Sequence, residues 1–226
     1  MKTATLSRKA LQACNFAASK EETRYYLNGV YVKIDAGGAE YCATDGHMLL
    51  AYREELEKDS PANTLTGEFI IPSATCADKH IKGSKWASDA VELAEMSDGF
   101  LRIDNALVFR PIDGTFPDWR RVLPSEIDGV SAQFDPALLV RLQKAGAIFD
   151  CRFPVIAHNG INPALVRFGE HTGLFGVVMP FHATVLTERP SWVDAALPPS
   201  PETAANDSLE ASEDPLSVDE MTDTVH

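Results

Sequence analysis

The alternation of apolar and polar residues divides the chain into short strands and helices. The most regular stretch has an aromatic and β-branched run at 25–34, a turn at Ala36-Gly37-Gly38 and a second apolar run at 40–52. Runs of this kind, bounded by glycine, predict a pair of strands. The polar corner Thr44-Asp45-Gly46-His47 interrupts the second run. It predicts a turn with a glycine where the backbone needs conformational freedom.

One plan recurs three times along the chain, at a spacing of a little over 60 residues. Each repeat opens with a short strand and a helix-capping residue, continues as a helix and ends in short alternating runs. This plan predicts antiparallel sheets backed by helices, an α+β fold. The opening strands are expected at 4–7, 68–73 and 131–136, and the helices at 8–19, 74–82 and 137–146. The later strands are expected at 25–34 and 40–52; at 90–95, 100–103 and 106–112; and at 154–158, 164–168 and 174–180.

The start of each helix carries a recognisable signal. Ser7, Ser73 and Asp135 are the expected N-caps, because their side-chain oxygens accept hydrogen bonds from backbone N–H groups in the first turn. Pro136 suits the first helical turn, where its missing N–H group is not needed.

The composition changes at Arg189. Residues 189–226 are rich in proline, serine, alanine and acids, with almost no aromatic residue, which predicts a disordered acidic tail. The formal net charge of the whole chain is −13, and residues 188–226 hold ten acids and one base. Residues 1–187 therefore carry a net charge of only −4, which leaves room for a basic face on the folded part.

Composition also bears on location and on bound groups. Hydrophobic residues make up 45% of the chain, and its apolar runs are far shorter than the ~20 residues that span a bilayer. The first residues have no apolar signal-peptide core, so we expect a cytoplasmic protein without membrane partners. The four cysteines are widely scattered and the six histidines show no ligand spacing. We therefore expect reduced, mostly buried cysteines, no metal site and no cofactor.

Catalysis is a weak alternative for the polar residues. Asp45 and His47 could act as an acid–base pair, with Asp113 or Asp118 as a further carboxylate. However, the chain contains no nucleophile elbow, phosphate-binding loop or metal motif. The sequence therefore predicts a protein that is not an enzyme.

Three strings of residues are similar to the bacterial β sliding clamp, the processivity factor of the replicative polymerase. The first combines Arg24–Gly29 with Ala43–His47, the second is 112–124 (Ile-Asp-Gly-Thr-Phe-Pro-Asp-Trp-Arg-Arg-Val-Leu-Pro), and the third is Val177–Phe181. They occur in the family's order and together cover residues 1–185. The internal repeat agrees independently, because clamp domains consist of pairs of βαβββ halves.

The resemblance implies a DNA-clamp architecture with three such halves. Residues 1–124 would form one domain like the clamp's middle domain, with halves 1–60 and 66–124. Residues 129–185 would be the closing half of the clamp's third domain, followed by the acidic tail at 189–226. On this interpretation, the family's first domain and the first half of its third domain are missing.

The resemblance also implies a site for partner proteins, because clamps of this family hold them in a hydrophobic cleft between the second and third domains. The same residues could simply pack a core, an alternative that stays open for Val122 and Val177 in particular. Met48 stands where the family usually has a basic residue, and Phe181-His182-Ala183 departs from the usual ending. The cleft residues carried over by motif are Thr44, Gly46, His47, Leu49, Pro117, Arg121, Val122, Val177, Met179, Pro180 and Phe181.

A clamp further requires a surface that accepts any DNA sequence, with basic groups facing phosphates. Basic residues occur at matching places on the helices of all three repeats, and Tyr25 could stack or contact sugar. An ordinary solvated helix face is the alternative. The candidate DNA-binding residues are Arg8, Lys9, Arg24, Tyr25, Lys79, Lys82, Arg141 and Lys144.

Two functional hypotheses follow. In the first, the protein is a homo-oligomeric clamp on duplex DNA that tethers polymerase subunits or other proteins with clamp-binding peptides, assisted by a clamp loader. In the second, it forms no ring and instead competes for clamp-binding peptides as a replisome regulator of phage or plasmid type. A third, weaker idea is that the tail folds back into the cleft through Trp192-Val193 or Leu197 and inhibits it.

Overall fold

The computed structural model describes residues 1–55, 64–83, 87–169 and 173–181. The acidic tail predicted at 189–226, and its proposed return into the cleft, lie outside the described residues. The strands are β1 (Thr3–Ser7), β2 (Gly29–Asp35), β3 (Gly38–Thr44), β4 (Met48–Glu54), β5 (Gly67–Pro72), β6 (Ala90–Glu95), β7 (Leu101–Ile103), β8 (Leu107–Phe109), β9 (Val155–Ala157), β10 (Ala164–Arg167) and β11 (Leu174–Val178). The helices are α1 (Arg8–Asn15), α2 (Ser73–Cys76), α3 (Lys79–Lys82) and α4 (Pro136–Ile148), with 3-10 turns at Tyr25–Leu27, Ser97–Gly99 and Trp119–Val122.

Within the described residues the strands form two antiparallel sheets. One has the order β1-β6-β7-β8, and the other has the order β5-β2-β3-β4-β11-β10-β9. The opening strands are exchanged: β1 pairs with β6 of the second repeat, while β5 pairs with β2 of the first. The first two repeats therefore interlock. The predicted α+β fold of repeated halves is confirmed, whereas the domain boundary expected at 124–129 stays a prediction.

The third repeat joins the first through the pairing of β4 with β11. Leu49 lies opposite Val177, and Met48 lies opposite Val178, so a single sheet runs from one repeat into the other. A glycine permits this close packing, since a Cβ atom at Gly176 would lie 3.0 Å from the Leu49 carbonyl oxygen and 3.5 Å from Leu142 of α4. The helix therefore lies directly under the junction.

The first helix begins as predicted and ends early. The Ser7 hydroxyl accepts a hydrogen bond from the Ala10 N–H group at 3.0 Å, which confirms the predicted N-cap. The helix was expected to reach residue 19 but ends at Asn15. The following N–H groups of 16–18 bond three residues back, as in tight turns, and this closes the helix.

The second helix, expected as one element over 74–82, consists of two short pieces. Asp78 is extended, and its carboxylate accepts a hydrogen bond from the His80 N–H group, so it caps a new helix instead of continuing the first. The prediction of Ser73 as an N-cap is also wrong. Pro72 occupies that position, and Ser73 is the first helical residue.

The third repeat has its helix but not its opening strand. Asp135 caps α4 by accepting from the Ala137 N–H group at 2.8 Å, and Pro136 occupies the first helical position, both as predicted. The strand expected at 131–136 is absent from the described structure, where Gln133 makes only an isolated bridge with Phe181. A strand needs a continuous ladder with a neighbouring strand, and here the described residues provide only isolated hydrogen bonds, such as the bond from the Ala132 N–H group to His158.

The strand predicted at 25–34 starts later than expected. Tyr25–Leu27 form a 3-10 turn, and β2 begins only at Gly29. A side chain at Gly29 would collide with the Ile71 carbonyl oxygen across the β2–β5 pair, so glycine allows the two strands to approach.

The four cysteines lie mostly in buried positions. Cys14, Cys42 and Cys76 are buried free thiols and Cys151 is half-buried, as predicted. Burial raises the pKa of the Cys76 thiol to about 12, which keeps it protonated. No group of three or more potential metal ligands occurs among the described residues. In the same part of the chain no helix has the length and apolar character needed to cross a membrane.

Candidate partner-binding cleft

The corner between β3 and β4 is a tight polar turn. One Asp45 carboxylate oxygen accepts hydrogen bonds from the N–H groups of His47 at 2.9 Å and Met48 at 3.0 Å. The Thr44 hydroxyl donates to the Met48 carbonyl oxygen at 2.7 Å. Gly46 has a φ of +92°, a conformation that favours glycine. The sequence 44–47 therefore forms this turn because its side chains replace missing backbone partners.

A single arginine fastens this corner to two helices. The other Asp45 oxygen lies 2.5 Å from Nη1 of Arg141 on α4. The Nε–H group of Arg141 donates to the carbonyl oxygen of Phe16, just beyond α1, at 2.7 Å. The Asp45 carboxylate thus acts as the counter-ion of Arg141 and the acceptor for the turn, rather than as one half of an acid–base pair with His47.

The environment of Asp45 predicts a specific pH dependence. Burial alone would raise the pKa of this carboxyl, but the N–H group of Met48, Arg141 and the N–H group of His47 outweigh burial and hold the pKa below its ordinary value. Since the pKa is lower in the folded state, the carboxylate stabilises the fold above the unfolded-state pKa, and this stabilisation is lost as the pH falls through the folded-state pKa.

We therefore expect Asp45→Asn to destabilise the protein more at about pH 6 than at about pH 3. Urea-induced unfolding of both proteins at several pH values measures this difference. Asp113→Asn, at an exposed position, serves as the control and should show no such trend. An Asp45→Asn effect of equal size at both pH values would contradict this assignment.

The third motif lies against the corner. The N–H group of Met179 donates to the His47 carbonyl oxygen at 2.8 Å, one residue beyond the β4–β11 pairing. Two residues further on, the N–H group of Phe181 donates to the Gln133 carbonyl oxygen at 3.0 Å. Backbone hydrogen bonds therefore fix the position of 179–181 on both sides.

The second motif is held down by a buried tryptophan. Trp119 is 7% exposed and packs on Phe175 of β11, with ring centroids 5.7 Å apart. The guanidinium of Arg120 lies 4.4 Å from the centre of the Trp119 ring and forms an ion pair with Glu40, which is only 5% exposed. These contacts anchor the turn at 119–122 and leave its last two residues, Arg121 and Val122, exposed.

The second and third motifs meet at a groove of about 620 Å³. The first motif does not line it and is connected to it through the hydrogen bond between His47 and Met179. Val122 is 45% exposed and Met179 37% exposed, and both line the groove beside Arg121. A groove that combines exposed apolar side chains with charged and amide groups can hold an extended peptide. The full lining is Arg121, Val122, Leu123, Pro124, Ser125, Glu126, Asp128, Asn159, Asn162, Pro163 and Met179.

The other predicted cleft residues occupy different positions. Leu49 and Val177 are each 2% exposed and form a buried cluster with Trp119, whereas Val122 is 45% exposed. His47 lines a second depression of about 530 Å³ together with Asp45 and Arg141. The remaining members, which do not line the first groove, are Thr44, Gly46, Pro117, Pro180 and Phe181.

One wall of the groove was missed by reasoning from sequence. Asn159 is 4% exposed; its side-chain oxygen accepts from the Asp128 N–H group at 3.1 Å, and its amide donates to the Pro163 carbonyl oxygen at 3.2 Å. Asn159 therefore connects the segment around Asp128 to the loop at 159–163. The Asn-Gly and Asn-Pro pairs in that loop were a turn signal, but nothing in the sequence placed this turn beside 121–128.

The basic residues among the DNA-binding candidates differ in whether their charged groups already contact other residues. Arg24 forms an ion pair with Glu21 at 2.8 Å, Arg141 is paired with Asp45, and the Arg8 guanidinium packs against Gly83. Tyr25 is 53% exposed. The other basic candidates are exposed, with no carboxylate within 4.0 Å among the described residues: Lys9, Lys79, Lys82 and Lys144.

Comparison with known proteins identifies the family. The family model of the DNA polymerase III beta subunit, central domain, matches residues 1–118. The chain belongs to this family. The beta sliding clamp of Synechococcus elongatus is 28% identical over 145 residues, which cover 63% of this chain and 38% of that protein. The beta sliding clamp of Caulobacter vibrioides is 36% identical over 125 residues, covering 52% and 32%. The matches thus span only about a third of the length of these relatives.

Solved clamp structures show the same fold. The DNA polymerase sliding clamp of Bacillus subtilis superposes with a TM-score of 0.65 at 15% identity, over 80% of this chain and 64% of that one. The Bartonella birtlesii sliding clamp, solved bound to griselimycin, gives a TM-score of 0.59 at 23% identity, over 80% and 66%. These beta subunits confirm the clamp fold that the resemblance implied.

Proposed function

We propose that this chain acts as a sliding-clamp-like processivity factor that tethers polymerase subunits or other partner proteins through the groove of Arg121, Val122 and Met179. The observation that carries the proposal is the meeting at that groove of Arg121 and Val122 with Met179, from two motifs far apart in the chain, and Met179 is in turn hydrogen-bonded to His47 of the first motif. Membership of the beta subunit family supports it.

The groove suits peptide capture on physical grounds. Met179 is unbranched and flexible, so it can adapt to different apolar side chains. Val122 adds exposed apolar surface, while Arg121 and Asn162 provide polar groups that can orient a peptide backbone. Tethering then acts by raising the local concentration of the partner, and it requires no chemical step on this chain.

The proposal includes sequence-independent contact with duplex DNA through the helix lysines, homo-oligomerisation and loading by a clamp loader. Lys9, Lys79, Lys82 and Lys144 are exposed on the helices of the three repeats, and phosphate contacts require such unpaired cations. Tyr25 supplies an exposed ring for contact with sugar or base.

Titration of a fluorescently labelled, polymerase-derived clamp-binding peptide tests the cleft. We expect Met179→Ala and Val122→Ala each to weaken binding at least about tenfold, because both side chains form the exposed apolar wall. Val108→Ala on β8, which is 58% exposed and belongs to the other sheet, is the matched control and should bind like the wild type. Unchanged binding by both cleft variants would show that the site is wrong.

A non-ring clamp mimic that regulates the replisome is the second candidate. The observation in its favour is that Arg24 and Arg141, two of the predicted DNA-binding residues, already form ion pairs with carboxylates. The titration separates the two functions when it is repeated with labelled duplex DNA. Peptide binding without salt-dependent DNA binding supports the mimic, and binding of both ligands supports the clamp.

A further inference from the structure

The outer edge of β9 lacks the strand that the repeat plan gives to its counterpart. In the second repeat, β6 is the first strand after the helix; one of its edges pairs with β7 and the other with β1. In the third repeat, β9 follows α4 in the same way and pairs with β10. Within the residues that the structure describes, no strand covers the other edge of β9. The backbone groups along that edge are therefore available to a further strand.

The strand that fills this position in the second repeat shows which side chains the position accepts. In β1, Ala4 and Leu6 are buried in the core, whereas Thr3 and Thr5 are partly exposed. Every second side chain of β1 therefore enters the space beneath the helices, and the side chains between them face outward. A strand added to β9 has two faces of the same kind, and the surroundings of β9 determine what each face prefers.

The inner face at this edge is an apolar groove of about 300 Å³ between α4 and β9. Ile156 faces α4, because it lines this groove together with Leu139 and Leu142 of that helix. Phe153, just before the strand, is 81% exposed and extends the apolar surface. Exposed apolar surface next to an unpaired strand edge is typical of an interaction site, so the inner positions of an added strand favour apolar side chains. The full lining is Leu139, Val140, Leu142, Gln143, Arg152, Phe153, Pro154 and Ile156.

The outer face at this edge is basic. Val155 lies directly opposite Arg167 in the β9–β10 ladder, so both side chains are on the face that points away from α4. Residues 151–169 contain two arginines, Arg152 and Arg167, and no acid, in a chain of 33 acids and 20 lysines and arginines. Both arginines are exposed, and neither has a carboxylate within 4.0 Å among the described residues. The outer positions of an added strand therefore favour acidic side chains.

We propose that an extended segment of a different protein adds a strand to the outer edge of β9, with apolar side chains in the groove and acidic side chains between them, beside the arginines. Main-chain hydrogen bonds supply affinity in this mode of binding, and the alternate side chains supply specificity. A second copy of this chain fits less well, because its β9 brings the same arginines and no acid. The inference goes beyond the proposed function, because the site shares no residue with the groove that contains Met179.

Fluorescence anisotropy with a labelled synthetic peptide, Glu-Val-Glu-Leu-Glu-Val-Glu, tests the proposal on the full chain. We expect a dissociation constant of about 1–100 µM that rises with salt concentration. Arg167→Glu should weaken binding at least about tenfold, and Phe153→Ser at least about fivefold, without altering the circular dichroism spectrum. Arg110→Glu is the matched control, because it makes the same charge reversal at an exposed position directly after β8, and it should bind like the wild type.

Two further peptides separate strand addition from simple attraction of charge. Lys-Val-Lys-Leu-Lys-Val-Lys keeps the apolar residues and reverses the charge. Glu-Glu-Glu-Val-Leu-Val-Glu keeps the composition and breaks the alternation. Both should bind at least about tenfold more weakly than the alternating acidic peptide, because one places cations beside the arginines and the other cannot direct its apolar side chains to one face.

Four results would overturn the proposal. The alternating acidic peptide could fail to bind at about 1 mM. Either of the other two peptides could bind equally well, or Arg110→Glu could lose as much affinity as Arg167→Glu. Finally, sedimentation velocity could show that the acidic peptide and Phe153→Ser each dissociate an oligomer, in which case a second copy occupies the edge. Failure of the titration with the clamp-binding peptide would leave this inference intact, because the two grooves have no residue in common.

Discussion

Replacing Trp119 with alanine is expected to lower the free energy of unfolding by about 3–5 kcal/mol and to abolish measurable peptide binding. The side chain is 7% exposed and packs against Phe175, so its removal leaves a cavity beneath the cleft. It also removes the ring beneath the Arg120 guanidinium, which stabilises the turn at 119–122. Loss of the Trp119 ring is therefore expected to lower the stability and, at the same time, to displace Val122 from the groove wall.

Urea-induced unfolding and the peptide titration measure the two effects of Trp119→Ala. Trp119→Phe is the matched control. The indole N–H group is buried with no hydrogen-bond partner among the described residues, so phenylalanine keeps the aromatic packing and loses no bond. We expect it to cost less than about 1.5 kcal/mol and to retain peptide binding. A Trp119→Ala variant as stable as Trp119→Phe would contradict the anchoring role.

Leu142→Ala should lower the free energy of unfolding by about 2–5 kcal/mol. Leu142 is 1% exposed and lies under the junction of β4 and β11, close to Gly176. Its truncation therefore weakens the contact between the first and third repeats, and not only the packing of its own helix. Lys144→Ala, at an exposed position on the same helix, should change stability by no more than about 0.5 kcal/mol.

Chemical denaturation monitored by both tryptophan fluorescence and circular dichroism measures these changes. Because one sheet runs through the junction, we expect the wild type to unfold in a single transition. A Leu142→Ala variant with the stability of Lys144→Ala would show that α4 contributes little to the junction. Two separate transitions in the wild type would favour the predicted domain boundary at 124–129.

Local chemistry made much of the fold predictable. Ser7 and Asp135 cap their helices because hydroxyl and carboxylate oxygens bond backbone N–H groups wherever a helix begins. Ser73 has the same chemistry but is already inside the helix, because Pro72 ends the preceding strand. The strand expected at 131–136 failed for a different reason. A strand exists only where another strand pairs with it, and no local pattern specifies that partner.

The candidate site was predictable as a meeting of motifs but not in its surface. The strings containing Met179 and His47 are joined by a backbone hydrogen bond. Which of the valines faces the groove could not be read from the sequence, since Val122 and Val177 are chemically identical and differ only in what covers them. The wall at 159–163 depends on a bond between Asn159 and Asp128, a contact across about 30 residues.

The pairing of β4 with β11 also determines which part of the groove can adapt to a partner. Met179 directly follows β11, and its N–H group donates to the His47 carbonyl oxygen beside the end of β4. The sheet therefore holds the Met179 backbone in place, while its unbranched side chain can change rotamer. Selection among partners then depends on the fit of side chains at this wall rather than on movement of its backbone.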